Sequence, residues 1–452
     1  MLTKVKNWLG RICKVNRAKK VNEAHSFHKA NKVDKTKNAK TNRVKSNLEI
    51  KPVIVPRSKH NISRANISSN ALKVLYRLKN AGYQGYLVGG GVRDLLLDLQ
   101  PKDFDIAADA LPEEIRKLFR NCRLIGRRFR LAHIFFGNDI IEVATFRTTH
   151  DSSGQNTKGM LVRDNVYGNI DQDVLRRDFT INAIYYNIQN FSLVDYVGGI
   201  EDIKERRLRV IGDPAERYCE DPVRMLRAIR FASKLGLKLH KDTAAPLSRL
   251  AGLLKDVAPA RLFDEYLKLF LMSNVQDTFA KLVQYGLYAA MFPQVMPHLE
   301  SPASLQFIKE ALVDTDKRIA AKKSVSPVFL LAVFLWQPFL EHIKLSKCKD
   351  VPFTKIQQDA IAHVFMVQRK TVMIPKNFVY VIQDIWFLQS RLLRLSAGNV
   401  VRCYTSSEFR MAYDFLLLRA RAGDKAVEQV AKWWQDYVEG NDKNRRMKLK
   451  EL

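Results

Sequence analysis

The hydrophobic pattern changes character partway along the chain. Between about residues 68 and 212, short apolar runs alternate with turn residues. Beyond about 213, apolar positions recur at helical spacing as far as Glu439. The first part predicts a helix over 69–80, with Leu72, Leu75, Tyr76 and Leu78 as its apolar set. Strands are predicted at 85–88, 103–107, 122–126, 131–136 and 139–146, with Gly137-Asn138 as a two-residue hairpin. A helix over 112–120 opens on Pro112 and Glu113, and further strands are expected at 183–188, 192–196 and 207–211. This order describes an α+β unit on a mixed β-sheet, not a regular βαβ series. Residues 148–160 are polar and predict a loop. The later part is all-helical, punctuated by Pro246, Pro259, Pro293, Pro297, Pro327, Pro352 and Pro375. The expected divisions are a leader over 1–60, a head over 68–212, a helical neck over 213–275, a helical body over 276–440 and a basic tail over 441–452.

Charge sharpens this picture. The chain has 452 residues and a formal charge of +30. Residues 1–60 hold 17 lysines and arginines against Glu23, Asp34 and Glu49, with few large apolar side chains, so the leader is expected to be disordered. The rest is basic too, which argues for a polyanionic partner, nucleic acid first. Five scattered cysteines (Cys13, Cys122, Cys219, Cys348 and Cys403) lack paired spacing and read as reduced thiols. No membrane span is expected, and a soluble cytoplasmic monomer is the default reading.

Candidate chemistry begins at Leu87-Val88-Gly89-Gly90-Gly91-Val92-Arg93-Asp94. Glycines after a strand let backbone N–H groups approach an anion. Arg93 then offers a phosphate contact, or else a local ion pair with Asp94 that fixes the turn. Asp103-Phe104-Asp105 follows. On a strand its two carboxylates share one face, roughly 6–7 Å apart at Cα, while Phe104 turns inward. Such a pair suits one or two divalent metals about 3.5–4 Å apart. Glu142, mid-strand in an apolar run, is a candidate third carboxylate, or else the solvent side of an edge strand. Arg176-Arg177-Asp178-Phe179-Thr180-Ile181-Asn182 has the residue types for a nucleotide: arginines for triphosphate, Asp178 for a ribose hydroxyl or metal, Asn182 for a polar edge. In Glu220-Asp221-Pro222-Val223-Arg224, Asp221 is a natural N-cap with Pro222 at the first helical position. Arg224, Arg227 and Arg230 sweep one flank of that helix, with Met225, Ile229 and Ala232 toward the core. His133, after the cluster Arg127-Arg128-Phe129-Arg130, reads as a structural histidine.

Together these segments resemble the class II nucleotidyltransferases, the bacterial poly(A) polymerases and CCA-adding enzymes. The resemblance spans roughly residues 85 to 270 and includes Asp195-Tyr196-Val197-Gly198-Gly199. It implies a nucleotidyltransferase head followed by an all-helical neck, body and RNA-binding region. It implies that Asp103 and Asp105 bind the catalytic metals, Mg²⁺ or Mn²⁺, with Asp178 a further essential acid. Gly89, Gly90 and Arg93 would hold the triphosphate, Arg177 and Asp178 the sugar and phosphates, and Asp221 and Arg224 the incoming base. Asp195 would sit where head and neck flex. The segment 124–133 and the basic tail favour the poly(A) polymerase side. ATP and RNA 3′ ends are then the substrates, CCA addition to tRNA is the alternative, and a non-catalytic RNA-binding protein the more distant one.

Overall fold

The computed structural model describes residues 51–126, 130–148, 167–346 and 351–452. The leader to residue 50, Arg127 to Phe129, the polar loop beyond Thr148, and Cys13 and Cys348 lie outside the described residues. Cys122, Cys219 and Cys403 are free thiols.

Eight strands form one mixed sheet: β1 (Val53–Val55), β2 (Gly85–Val88), β3 (Asp105–Ala108), β4 (Cys122–Ile125), β5 (Leu131–Phe136), β6 (Asp139–Thr145), β7 (Ile184–Asn187) and β8 (Leu193–Asp195). Their spatial order is β1-β8-β7-β2-β3-β6-β5-β4. Only the β3–β6 pair is parallel. The helix Ser69–Asn80 covers one face with Ala71, Val74, Leu75 and Leu78. Leu72 and Tyr76, expected in that set, are only half-buried, because the packed stripe is rotated by one position. Gly85 lets this helix sit close, since a Cβ there would lie 3.2 Å from Leu78 Cδ1. The opposite face carries Val88, Ala107, Phe146, Val174, Ala183 and Tyr185. Strand alternation puts Asp105 and Glu142 on this second face.

Three expectations are corrected. The disordered leader does not extend to residue 60: Val53-Ile54-Val55 pairs antiparallel with β8 as an edge strand. Three β-branched residues suffice there because β8 supplies the hydrogen bonds. The strand expected over 103–107 begins only at Asp105. Val88 pairs with Asp105, so Asp103 would need a partner at Gly90, where the chain has already entered the helix Gly90–Leu96. Residues 207–211 do not join the main sheet; Arg207–Leu208 pairs in parallel with Lys238–Leu239.

Helices follow from Pro214 onward. Met225, Ile229 and Ala232 of the helix Val223–Leu235 are buried, as their spacing predicts. In the body, Trp386 stacks on Phe339 at 4.5 Å between ring centroids and donates its indole N–H to the Ala332 carbonyl. The basic tail is helical over Asp442–Lys450. The segment Pro327–Leu345 is long and apolar enough to cross a membrane. It is instead two consecutive helices, Pro327–Phe334 and Trp336–Leu345, with most of its surface buried in the body.

Asp195 anchors the end of the head. Its Oδ1 accepts from the N–H groups of Val197, Gly198 and Gly199, and its Oδ2 from that of Ile200. Gly199 packs so tightly that a Cβ would come within 2.2 Å of the Thr180 carbonyl oxygen. The point expected to flex is thus a capped, close-packed helix start. Asp195→Ala leaves these four donors, the buried Gly199 N–H among them, without their acceptor and is expected to cost about 2–4 kcal/mol in urea denaturation; a change under about 1 kcal/mol contradicts this account of the cap.

Candidate active site

The register of three strands builds the site. Val88 ends β2 opposite Asp105, and Asp105 lies beside Glu142 across the parallel β3–β6 pair. Gly89 turns the chain with φ +77°, and a Cβ there would sit 3.5 Å from Asp105 Oδ2. The glycine bend and the acidic pair are therefore in contact. Gly91 serves the same approach: its Cβ position lies 3.2 Å from Phe104 Cδ1 and 3.3 Å from the Asp103 carbonyl. Phe104 is buried beneath them.

Asp105 is exposed at the start of β3, although protein atoms crowd its carboxylate. Burial first, then the neighbouring Glu142 carboxylate, raise its pKa to about 6; Asp103 adds to the rise and Arg177 opposes it. Glu142 in turn lies 3.4 Å from His133 Nε2, which fits the structural role expected of that histidine.

A cleft of about 210 Å³ opens on this face, lined by Asp105, Glu142, Leu131, Arg147, Arg176 and Arg177 among others. Two carboxylates and three guanidiniums thus share one cleft. A larger hollow of about 280 Å³ lies among Thr180, Arg209, His240 and Asp242; its lining has a single carboxylate and neither acid of the β3–β6 pair.

Two cleft-building residues escaped the sequence reading. Arg147 ends the run that carries Glu142, and only its position there could have signalled it. Burial, then the nearby Arg176, push its pKa down; an anion between the two guanidiniums relieves that repulsion. Asp173 is fully buried. It takes Arg176 on Oδ1, Arg177 on Oδ2 at 2.9 Å, and the Tyr185 hydroxyl at 2.7 Å. Burial alone would raise its carboxyl, but Arg177 and Arg176 outweigh it and hold the group below the usual range. Its spacing of three and four residues before the arginines on a helical turn was the available signal.

Other expected site residues form a buried framework behind the cleft. Arg93 is 4% exposed. It donates to Asp94 Oδ1 and to Asn182 Oδ1 at 2.7 Å, the ion-pair alternative. Gly90 lies against that guanidinium. Asn182 passes the contact on to Asp178 at 3.3 Å. Asp178 Oδ2 accepts from Arg227 Nε at 2.8 Å, and its Oδ1 from the Phe179 N–H. Burial would raise Asp178, but Arg227 holds it low. The Phe231 ring carries Arg93, Arg227 and Arg230 at 5.2, 5.5 and 4.7 Å.

At the neck, the helix begins at Val223, one residue later than the cap pattern implied, and Asp221 Oδ1 accepts the Val223 N–H. Its Oδ2 pairs with Arg261 at 2.8 Å. Arg224 pairs with Glu220 at 2.7 Å.

Three family models match the chain: Poly A polymerase head domain over residues 85–209, Probable RNA and SrmB-binding site of polymerase A over 236–299, and Polymerase A arginine-rich C-terminus over 349–452. Poly(A) polymerase I of Salmonella typhimurium is 45% identical over 413 residues, 88% of each chain. That of Haemophilus influenzae is 44% identical over 410 residues, 88% of this chain and 90% of the other. A CCA-adding enzyme of Lactobacillus helveticus is 37% identical over 209 residues, covering 46% of this chain and 51% of its own. Among solved structures, the Thermotoga maritima CCA-adding enzyme complexed with tRNA shares the fold, with TM-score 0.59 and 22% identity over 86% of this chain and 87% of that one. Identity this extensive, spanning head, neck and body alike, makes the chain a member of the bacterial poly(A) polymerase family of nucleotidyltransferases.

Proposed function

We propose that the chain adds AMP from ATP to RNA 3′ ends without a template, releasing pyrophosphate. The observation that carries this reading is the cleft that brings Asp105 and Glu142 together with Arg147, Arg176 and Arg177, in a chain 45% identical to poly(A) polymerase I over 88% of its length.

Mg²⁺ is the inferred metal, with Mn²⁺ a substitute. Among the described residues no three His, Cys, Asp or Glu side chains form a closed metal cage. That suits Mg²⁺, which takes one or two carboxylates and completes its shell with water and substrate phosphates. Asp105 and Asp103 would hold it, with Glu142 beside them. A bound divalent ion would activate the RNA 3′-hydroxyl and neutralise charge on the departing pyrophosphate. The chain supplies the rest. Arg147, Arg176 and Arg177 grip the triphosphate, and Asp173 keeps two of them aimed. The 3′-oxygen bonds to the α-phosphorus as its bond to the bridging oxygen breaks, so positioning and electrostatics carry the step. Asp178, Asn182 and Arg93 act as a support that joins the glycine bend to the neck. Asp221 and Arg224 read the base. The basic body holds the RNA backbone through phosphates.

The raised Asp105 has a stability consequence. The folded, metal-free chain binds this proton more tightly than the unfolded chain does. The stabilisation is present below the ordinary value of 3.8 and is lost as pH rises through about 6. Asp105→Asn is therefore expected to raise the melting temperature of metal-free protein at neutral pH. The difference should shrink by about pH 5, and Mg²⁺ should stabilise the wild type but not the variant. The same substitution is expected to lower adenylate transfer by about a thousandfold. Activity retained within tenfold would remove Asp105 from the chemistry.

At limiting metal, the acid limb of the pH–rate profile is expected near pH 6, moving lower as Mg²⁺ rises because cation and proton compete for Asp105. A limb indifferent to metal concentration contradicts that assignment.

Substrate choice is tested with RNA, including tRNA lacking its terminal nucleotides, supplied with ATP alone, CTP alone and both. Long A tracts with ATP alone are expected. CTP incorporation with arrest after three nucleotides would refute this reading in favour of CCA addition. RNA affinity is expected to fall steeply with salt, and salt-independent binding would contradict the backbone grip.

A further inference from the structure

One buried arginine belongs to none of the motifs assigned a role above. Arg217 sits on the short helix Pro214–Glu220 and is 8% exposed. Its Nη2 donates to the carbonyls of Arg176 and Arg177, at 2.9 and 2.8 Å. These carbonyls lie just past the end of the helix Ile170–Leu175, where backbone acceptors lack helical partners and favour a cation. Its Nη1 donates to Glu220 Oε2 at 2.7 Å. That same oxygen accepts from Arg224 Nη1 at 2.7 Å, and Arg224 also reaches back to the Arg217 carbonyl at 2.8 Å. One planar guanidinium thus touches the backbone of both cleft arginines and the carboxylate that orients Arg224.

We propose that Arg217 is a positioning residue for nucleotide selection. It sets the distance between the triphosphate-gripping arginines and the base-reading Arg224, so that a bound triphosphate presents its base at one height to the neck. The proposal rests on the reading that Asp221 and Arg224 read the base. Arginine suits the task because its planar fork makes several directed bonds at once, whereas a lysine ammonium acts as a point charge. Flexibility at this joint would let Arg224 drift against the phosphates, and the site would accept a smaller base with less penalty. The Asp178–Arg227 ion pair crosses between the same two segments. It ties the middle of the neck helix; at its first turn Asp221 pairs with Arg261, while Glu220 and the Arg217 carbonyl hold the Arg224 side chain.

The test uses full-length enzyme and an RNA primer, with kcat and KM measured separately for ATP and CTP. Arg217→Met is expected to raise KM for ATP about tenfold, with a smaller change in kcat, and to lower the ATP-over-CTP preference about tenfold. Arg217→Lys should recover charge but only part of the preference. A purely structural arginine would lower both nucleotides together and leave their ratio intact. Should Arg217→Met fail to fold, judged by circular dichroism and thermal melting, Glu220→Gln decides. It keeps the side chain's size, weakens both arginine contacts, and is expected to lower the ratio. Arg224→Lys is the control for the underlying reading. If the control lowers the ratio while folded Arg217→Met or Glu220→Gln leaves it unchanged, the proposal is overturned and the base-reading role stands. If the control also leaves it unchanged, the base-reading role fails and the proposal fails with it.

Discussion

The arrangement depends on two carboxylates being held side by side on adjacent strands. Asp105 and Glu142 are register partners in the β3–β6 pair, and burial together with their repulsion raises the pKa of Asp105. Like charges at neighbouring positions of a sheet are unfavourable by themselves. Their neighbourhood shows how the cost is contained. Guanidiniums line the same cleft, His133 flanks Glu142, and Gly89 puts no side chain against Asp105. In the proposed reaction a divalent cation and the ATP triphosphate carry charges complementary to these carboxylates and guanidiniums.

Behind this surface lies a second layer that has little exposure and many hydrogen bonds. Arg93, Asp94, Asn182, Asp178 and Arg227 form a continuous chain from the glycine bend to the neck helix. These are residues a motif reader assigns directly to the nucleotide. In the structure they hold each other. Buried charge pairs of this kind fix geometry more than they add net stability. A site that works by placement benefits from that exchange, because small displacements of a reacting group carry large rate penalties.

Much of the architecture was legible in the chain. The helix Ser69–Asn80, strands β2 and β5 and the Gly137-Asn138 hairpin follow directly from spacing and turn chemistry. Glu142 was visible as an acid set in an apolar strand. What failed has physical causes. The start of β3 depends on where its partner β2 leaves the sheet, which is a property of two distant segments. The edge strand Val53–Val55 was hidden inside a basic, polar stretch, and its order comes from β8. The contacts of Arg93 to Asn182 and of Asp178 to Arg227 were not legible, because these residue types suit phosphates and metals as well as they suit each other. Composition cannot separate those uses; only the identity of the neighbour does. Arg147 and Arg217 were missed because little in the local sequence separates a buried charge from a surface one; Asp173 was missed although its spacing before Arg176 and Arg177 offered a signal.

The parallel pairing of β3 with β6 has one more implication. Parallel neighbours cannot be joined by a tight turn, so a helix and an antiparallel meander intervene between Asp105 and Glu142. During synthesis the first carboxylate leaves the ribosome well before the second, and the acidic couple comes into being only when the meander docks. A chain whose meander has not docked lacks the paired carboxylates.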